Sequence, residues 1–164
     1  MRMPMMGKVY APALPDGLVW LNSEPLSMDK LRGKPVLIDF WTYSCINCIR
    51  TIPHVQEWYE KYQKAGLAVI GVHSPECDFE KDEKNVERAI AELGITYPVV
   101  LDPDFAIWNL YANKYWPHVF LVDHRGVVVY DHAGEGAVTE TEHAIASALQ
   151  AAGAVKRLKS NTRR

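Results

Sequence analysis

The chain has 164 residues, of which 48% are hydrophobic, and a formal net charge of −2 at pH 7. This length and composition predict one compact domain and exclude a largely disordered chain. The near-neutral charge argues against a nucleic-acid partner or an anionic membrane surface, and no run approaches the ~20 apolar residues of a membrane-spanning helix.

Residues 1–17 are predicted to form an N-terminal extension that precedes the folded domain. This segment contains three prolines and lacks the continuous apolar stretch of a secretory signal. We therefore expect a cytoplasmic protein, or a periplasmic or other extracytoplasmic one if the chain is a mature or trimmed form. The domain is predicted over 18–154, followed by a basic, flexible tail over 155–164.

Strands and helices alternate along the predicted domain. A possible edge strand over 18–21 precedes a central strand over 36–40, a helix over 45–64 and a second central strand over 67–72. The strand-helix-strand unit predicts a right-handed crossover and parallel pairing. The later elements are a helix over 78–92, a strand over 97–101, a helix over 104–112, strands over 119–122 and 127–130, and a helix over 139–152. Together they predict an α/β sandwich with a mixed sheet.

Two cysteines, Cys45 and Cys48, stand between the first central strand and its helix. The start of a helix offers free N–H groups and the positive end of the helix dipole, which stabilise a thiolate at Cys45. Cys48, one turn later, could resolve a mixed disulfide formed at Cys45. A zinc site would need two more ligands at suitable spacing, and the sequence has no such pair. We predict a redox-active disulfide and no metal or other cofactor.

The sequence FWTYSCINC at 40–48, with Asp39 before it, Pro53 after it and a late Trp116-Pro117, resembles the thioredoxin superfamily. The greatest similarity is to its TlpA-like branch, particularly DipZ-like domains, over about 20–149. This resemblance implies a thioredoxin-like three-layer sandwich with a helix and a strand inserted after the second central strand. It also implies a thiol:disulfide oxidoreductase acting on a disulfide-containing protein, with an external thiol reductant or a membrane electron donor.

The resemblance further implies roles for residues outside the cysteine pair. Asp39 would be a buried carboxylate that relays the proton of the Cys48 thiol, and Glu76 would be the active-site glutamate of the TlpA-like branch. Pro117 would form a cis-proline loop facing the cysteines. The residues expected to contact the substrate are Trp41, Trp116, Pro117 and His118.

Two other functions are compatible with the sequence. Thr42 lies three residues before Cys45, as in peroxiredoxins, and favours a thiol peroxidase as the alternative enzyme. The wider peroxiredoxin pattern places proline where Ile38 stands. A non-enzymatic copper-binding module would use Cys45, Cys48 and His118 as ligands.

Two features leave the details of the redox chemistry open. Ile46-Asn47 replaces the Gly-Pro that ordinary thioredoxins have between the cysteines, so either direction of electron transfer is compatible with the motif. The third cysteine, Cys77, is expected to be an inert thiol, with an additional redox partner as the alternative.

Overall fold

The computed structural model describes the backbone of residues 7–162 and the side chains of residues 7–154. The strands are β1 (Trp20–Leu21), β2 (Val36–Trp41), β3 (Ala68–His73), β4 (Val99–Leu101), β5 (His118–Val122) and β6 (Val128–Ala133). The helices are α1 (Ile46–Tyr62), α2 (Glu83–Leu93), α3 (Ala106–Leu110) and α4 (Val138–Thr162), with 3₁₀ turns at Gln63–Ala65 and Asp78–Lys81. The strands form one sheet in the order β1-β4-β3-β2-β5-β6.

Strand β2 lies inside the sheet, and all six of its side chains are buried. It pairs in parallel with β3 and antiparallel with β5, which confirms the predicted mixed sheet. Successive side chains of a strand point to opposite faces. Asp39 and Trp41 therefore face one layer, and Phe40 faces the other. The chain leaves the carboxyl end of β2 and enters α1 at Cys45.

Two apolar cores cover the two faces of the sheet. The first core lies against α1, α2 and α4 and includes Ile52, Val86 and Ile145. The second lies against the N-terminal segment and α3 and includes Met28 and Trp108. This arrangement confirms the predicted three-layer sandwich.

Two helices are shorter than predicted because acidic side chains cap them at other positions. The helix predicted over 78–92 is interrupted at Asp82, whose backbone is extended and whose carboxylate accepts a hydrogen bond from Lys84 N at 2.9 Å. The helix predicted over 104–112 is limited to α3, because its first N–H groups bind Asp102 and not Asp104.

Parts of both segments that flank the predicted domain belong to the folded structure. Val9 O accepts a hydrogen bond from Val128 N at 2.8 Å, and Ala11 N donates to Gly126 O at 2.9 Å. Residues 9–11 thus lie along the start of β6. Helix α4 continues to Thr162, beyond its predicted end near 152. Residues 1–6 and 163–164, at the outer ends of the predicted extension and tail, lie outside the described residues, and the flexibility of the tail stays a prediction. No helix among the described residues is both long and apolar enough for a membrane crossing.

Candidate active site

Cys45 occupies the N-cap position of α1, where strand β2 ends. Its side chain is half-buried and accepts a hydrogen bond from Cys48 N at 3.3 Å. The first turn of α1 contains no acidic residue. The free N–H groups and the dipole of the helix therefore favour a negative charge on the Cys45 sulfur. Cys45 thus has the position at the helix start that the sequence predicts, and its role as the attacking sulfur stays a prediction.

Cys48 is fully buried one helical turn further on. Burial, a hydrogen bond with Cys45 and the nearby charge of Asp39 all raise the pKa of its thiol. Asp39 is itself fully buried, and neither of its carboxyl oxygens has a hydrogen-bond partner among the described residues. Burial raises the pKa of Asp39 from 3.8 to about 8. A group with a pKa close to the working pH can accept a proton and return it.

The Trp116-Pro117 loop lies beside Cys45, where the resemblance to thioredoxins places it. The peptide bond between these two residues is cis, and Trp116 O accepts a hydrogen bond from Cys45 Sγ at 3.9 Å. The indole of Trp116 is half-buried, its Nε1 donates to Ser74 O at 2.8 Å, and its ring centroid lies 4.2 Å from that of Trp108. Contact of this loop with a substrate stays a prediction.

Asp102 binds the two residues that contact the Trp116 indole, Ser74 and Trp108. It is fully buried and accepts hydrogen bonds from Ser74 Oγ at 2.9 Å, Ile107 N at 2.9 Å and Trp108 N at 3.0 Å. The bond from Ser74 holds the residue whose carbonyl oxygen accepts the indole N–H of Trp116. The bond from Trp108 N holds the tryptophan on which the Trp116 indole packs. Asp102 thereby supports the Trp116 indole through Ser74 and Trp108.

The glutamate that reaches the loop before Cys45 is Glu80, whereas the predicted Glu76 is exposed. Glu80 Oε2 accepts hydrogen bonds from the Thr42 hydroxyl and from Ser44 Oγ, the latter at 3.0 Å. Its Oε1 accepts from Cys77 N at 2.8 Å. The reason for the difference is local: the 3₁₀ turn that follows β3 directs the later glutamate inward and leaves the earlier one in solvent.

Glu80 and His73 are both buried and both lie next to the Thr42 hydroxyl, but their pKa values are shifted by different causes. Burial raises the pKa of Glu80, but the hydrogen bonds from Thr42, Cys77 and Ser44 together outweigh burial and lower the net pKa below 4.5. Burial lowers the pKa of His73 to about 4, and its Nε2 lies 3.4 Å from Thr42 Oγ1. At neutral pH the glutamate is therefore ionised and the histidine is neutral.

Two residues predicted to contact the substrate lie elsewhere. Trp41 is completely buried in the first core, with its ring centroid 4.8 Å from that of His73, so it cannot line a surface groove. His118 shares its face of β5 with Phe120, on the side opposite Asp39, because side chains alternate along the strand. Its Nδ1 lies 2.7 Å from Asn113 Oδ1, and its Nε2 lies 2.7 Å from an Asp131 oxygen.

A family model described as the AhpC/TSA family matches residues 13–131, which include β1 to β5, both cysteines and the Trp116-Pro117 loop. The chain belongs to the AhpC/TSA family. The match runs from the segment before β1 into β6, so it covers nearly the whole sheet.

Relatives of this AhpC/TSA chain confirm its TlpA-like character. It is 52% identical to protein DipZ of Mycobacterium bovis over 80% of this chain but only 19% of DipZ. It is 34% identical to the thiol-disulfide oxidoreductase YkuV of Bacillus subtilis, over 75% of this chain and 82% of YkuV. A thioredoxin-like protein solved in solution in its oxidized form is 32% identical, with a TM-score of 0.78 over 87% of this chain and 96% of the other. The chain thus spans about a fifth of the length of DipZ.

Sequence reasoning overlooked several residues of this AhpC/TSA site. Glu80 is the third residue of a turn capped by Cys77, but cysteine is not one of the usual capping residues, so this pattern does not stand out in the sequence. Asp102 and Ser74 gave no signal either, because their partners are brought to them by the fold. Tyr97 is buried in the same core as Cys48, but its sequence pattern predicts only an ordinary strand residue.

Proposed function

We propose that the protein is a thiol:disulfide oxidoreductase in which Cys45 attacks a disulfide of a protein substrate and Cys48 resolves the mixed disulfide. One observation carries the proposal. A half-buried cysteine at a helix N-terminus faces the Trp116-Pro117 loop, while its partner cysteine is buried near a carboxyl group with a raised pKa. The names of relatives such as YkuV support the same class of reaction.

In the first step, the Cys45 thiolate attacks one sulfur of the substrate disulfide. A bond forms between Cys45 Sγ and that sulfur, the substrate S–S bond breaks, and the other substrate sulfur leaves as a thiolate. The N–H groups at the start of α1 stabilise the attacking anion. Trp116, whose carbonyl oxygen accepts a hydrogen bond from Cys45 Sγ, would contact the chain that carries the disulfide.

In the second step, Cys48 attacks Cys45 Sγ. The Cys48 thiol must first lose its proton, which its buried surroundings oppose. We assign Asp39 as the acceptor of that proton, because its raised pKa makes it a base able to act near neutral pH. The new bond joins the two cysteines, and the remaining substrate sulfur leaves as a thiolate.

The pair must then be returned to the dithiol by two electrons from outside the chain. An external thiol reductant or a membrane electron donor would serve in a reductase cycle. In the reverse cycle, the oxidised pair would accept electrons from a substrate dithiol. Measuring the reduction potential of the Cys45–Cys48 pair against glutathione distinguishes the two directions, because a potential near those of cytosolic reductants supports the reductase.

The two alternative functions receive no support from the placement of their key residues. The Thr42 hydroxyl, which a peroxidase would use beside Cys45, donates to Glu80 in the interior. The imidazole of His118, the third ligand of the copper hypothesis, binds Asn113 and Asp131 on the other face of the sheet.

Trapping of the mixed disulfide tests the proposal. A Cys48→Ala variant incubated with insulin should accumulate a covalent adduct through Cys45, detectable by mass spectrometry under non-reducing conditions. The matched control is Cys77→Ala, which removes an exposed cysteine outside the pair and should turn over normally. Absence of any Cys45 adduct, or insulin reduction that survives Cys45→Ala, would show the proposed mechanism to be wrong.

A further inference from the structure

Three polar groups are buried without partners on the face of the sheet that carries Cys48. They are the Asp39 carboxyl group, Trp41 Nε1 and the Tyr97 hydroxyl, and none has a hydrogen-bond partner among the described residues. All three side chains are essentially inaccessible to solvent. Buried polar groups are nearly always hydrogen-bonded in folded proteins. An acceptor and two donors left unpaired on one face therefore point to an interaction that forms during the reaction.

The backbone brings the two donors to the same side as the acceptor. Gly71 is directly opposite Asp39 in the parallel pair of β2 and β3. A Cβ atom built at Gly71 would lie 3.0 Å from Tyr97 Cε1 and 3.1 Å from Trp41 Nε1. Both rings therefore close over the one position in β3 that has no side chain. This is the position from which a residue could otherwise have reached Asp39.

The titratable groups of the core that Asp39 faces are thiols, phenols and one histidine. Tyr43, Cys45, Tyr62 and Tyr130 are partly buried and pack against this core. From α1 come Cys48 and Tyr59, the latter with its ring centroid 6.0 Å from that of Tyr97. From β3 comes His73, at the strand end where it meets Thr42. Strand β5 presents only apolar side chains to this core, and within residues 7–154 no lysine or arginine is buried. No cation is therefore available in the interior to stabilise an ionised Asp39.

We propose that Tyr97 is a positioning residue whose hydroxyl donates a hydrogen bond to ionised Asp39, directly or through one water, when Asp39 holds the negative charge of the relay. The kinetic part of this inference rests on the proposed function, in which Asp39 takes the proton of Cys48. Trp41 Nε1 is the second donor available on the same side. Burial and the charges of Asp39 and Cys48 raise the pKa of Tyr97, so the phenol keeps its proton throughout the working range.

The sign of the effect follows from which form of Asp39 the phenol favours. A donor stabilises the carboxylate and not the carboxylic acid, so it lowers the pKa of the acid. Without the hydroxyl, Asp39 should become harder to ionise. If the phenol oxygen instead accepted a hydrogen bond from the O–H of neutral Asp39, it would stabilise the acid, and its removal would make Asp39 easier to ionise. The direction of the shift therefore decides between the two arrangements.

The test is a direct titration of Asp39 in the full chain. Carbon-13 NMR of labelled aspartate, assigned with Asp39→Asn, is compared between the parent and Tyr97→Phe. We expect the midpoint for Asp39 to rise by about one pH unit, which is about a tenfold change in its ionisation constant. Tyr111→Phe is the matched control, because it removes an equally unpartnered buried hydroxyl from the opposite core and should leave the midpoint unchanged. An unchanged or lowered midpoint in Tyr97→Phe overturns the proposal.

A second substitution guards against a variant that does not fold. Fluorinated tyrosine incorporated at position 97 keeps the ring and strengthens the donor, so the Asp39 midpoint should move down. A rise or no change would contradict a donor role for Tyr97.

A kinetic measurement separates this inference from the function on which it rests. In a Cys77→Ala background, Ellman's reagent is attacked by Cys45, and the second release of its coloured thiolate reports the attack by Cys48. The pH midpoint of that second phase should rise in Tyr97→Phe together with the titration of Asp39. If the titration moves and the kinetic midpoint does not, the hydrogen bond stands and the relay through Asp39 is wrong.

Discussion

Asp39 and Glu80 are both buried carboxyl groups, yet their surroundings differ in kind. Asp39 has no hydrogen-bond partner among the described residues, and burial raises its pKa to about 8. Glu80 accepts hydrogen bonds from Thr42, Ser44 and Cys77, and its net pKa lies below 4.5. Two carboxyl groups that are both almost inaccessible to solvent thus have opposite pKa shifts, because the hydrogen bonds to ionised Glu80 outweigh its desolvation.

The opposite pKa shifts of Asp39 and Glu80 suit them to different tasks, proton transfer for Asp39 and structural support of the cysteine loop for Glu80. The carboxyl group near Cys48 can change its charge at moderate pH, so it suits a relay. The Glu80 carboxylate stays ionised at neutral pH. Its hydrogen bonds link the segment after β3, at Cys77, to the loop that precedes Cys45 in the sequence, at Thr42 and Ser44. Asp102 performs a similar supporting task for the Trp116 loop.

The largest effect is expected from Asp39→Asn on the dependence of stability on pH. The folded chain holds the Asp39 proton up to about pH 8, whereas the unfolded chain releases it near 3.8. The folded state therefore binds more protons in between, and the free energy of unfolding falls as pH rises through that range. Chemical denaturation at about pH 9 should show Asp39→Asn to be more stable than the parent by about 3 to 5 kcal/mol. An equal gain at acidic and alkaline pH would remove the contrast with Glu80.

A smaller effect of opposite sign is expected from Glu80→Gln. The amide is neutral and turns an NH₂ donor toward groups that donate, so the variant should lose about 1 to 3 kcal/mol of unfolding free energy at neutral pH. Because the pKa of Glu80 is lowered, its contribution is present above 4.5 and is lost as pH falls through the folded pKa. Urea denaturation from neutral to acidic pH measures this. A variant as stable as the parent at neutral pH would show that these hydrogen bonds contribute nothing net.

The smallest effect is expected from Glu76→Gln, which sharpens the distinction between the two glutamates. Glu76 is exposed, so unfolding free energy should change by less than about 0.5 kcal/mol, and the rate of Cys45 attack on Ellman's reagent should be unchanged. Both are measured beside Glu80→Gln. A clear loss of rate in Glu76→Gln alone would restore the role that the family resemblance assigned to it.

Much of the fold could be predicted because its signals are local. The apolar run at 36–40, the helix starting beside Cys45 and the break at Gly66 fix a strand, a helix and a second strand in order. The residues that cap the helices were harder to predict from the sequence. Asp82 and Asp102 could be recognised as caps only after the backbone around them was known.

In the candidate site, too, the features with a local sequence pattern could be predicted and the others could not. The pair Cys45 and Cys48 and the Trp116-Pro117 loop carry their own sequence patterns, and the structure brings them together. The sequence did not indicate that Trp41 is completely buried or that His118 lies on the other face of the sheet, since proximity along the chain does not determine which side chains of a strand are buried or which face they occupy.

The sequence by itself determined the dithiol motif, its place at the start of a helix and the alternation of strands and helices, because these depend on neighbouring residues and short periodicities. Only the tertiary structure decided which glutamate meets the cysteine loop and which buried polar groups find partners. These properties depend on contacts between residues far apart in the chain, such as Glu80 with Thr42 and Tyr97 with the residues around Gly71. The charge that each buried carboxyl group carries follows from those contacts, because its pKa is set by the donors that the fold brings to it.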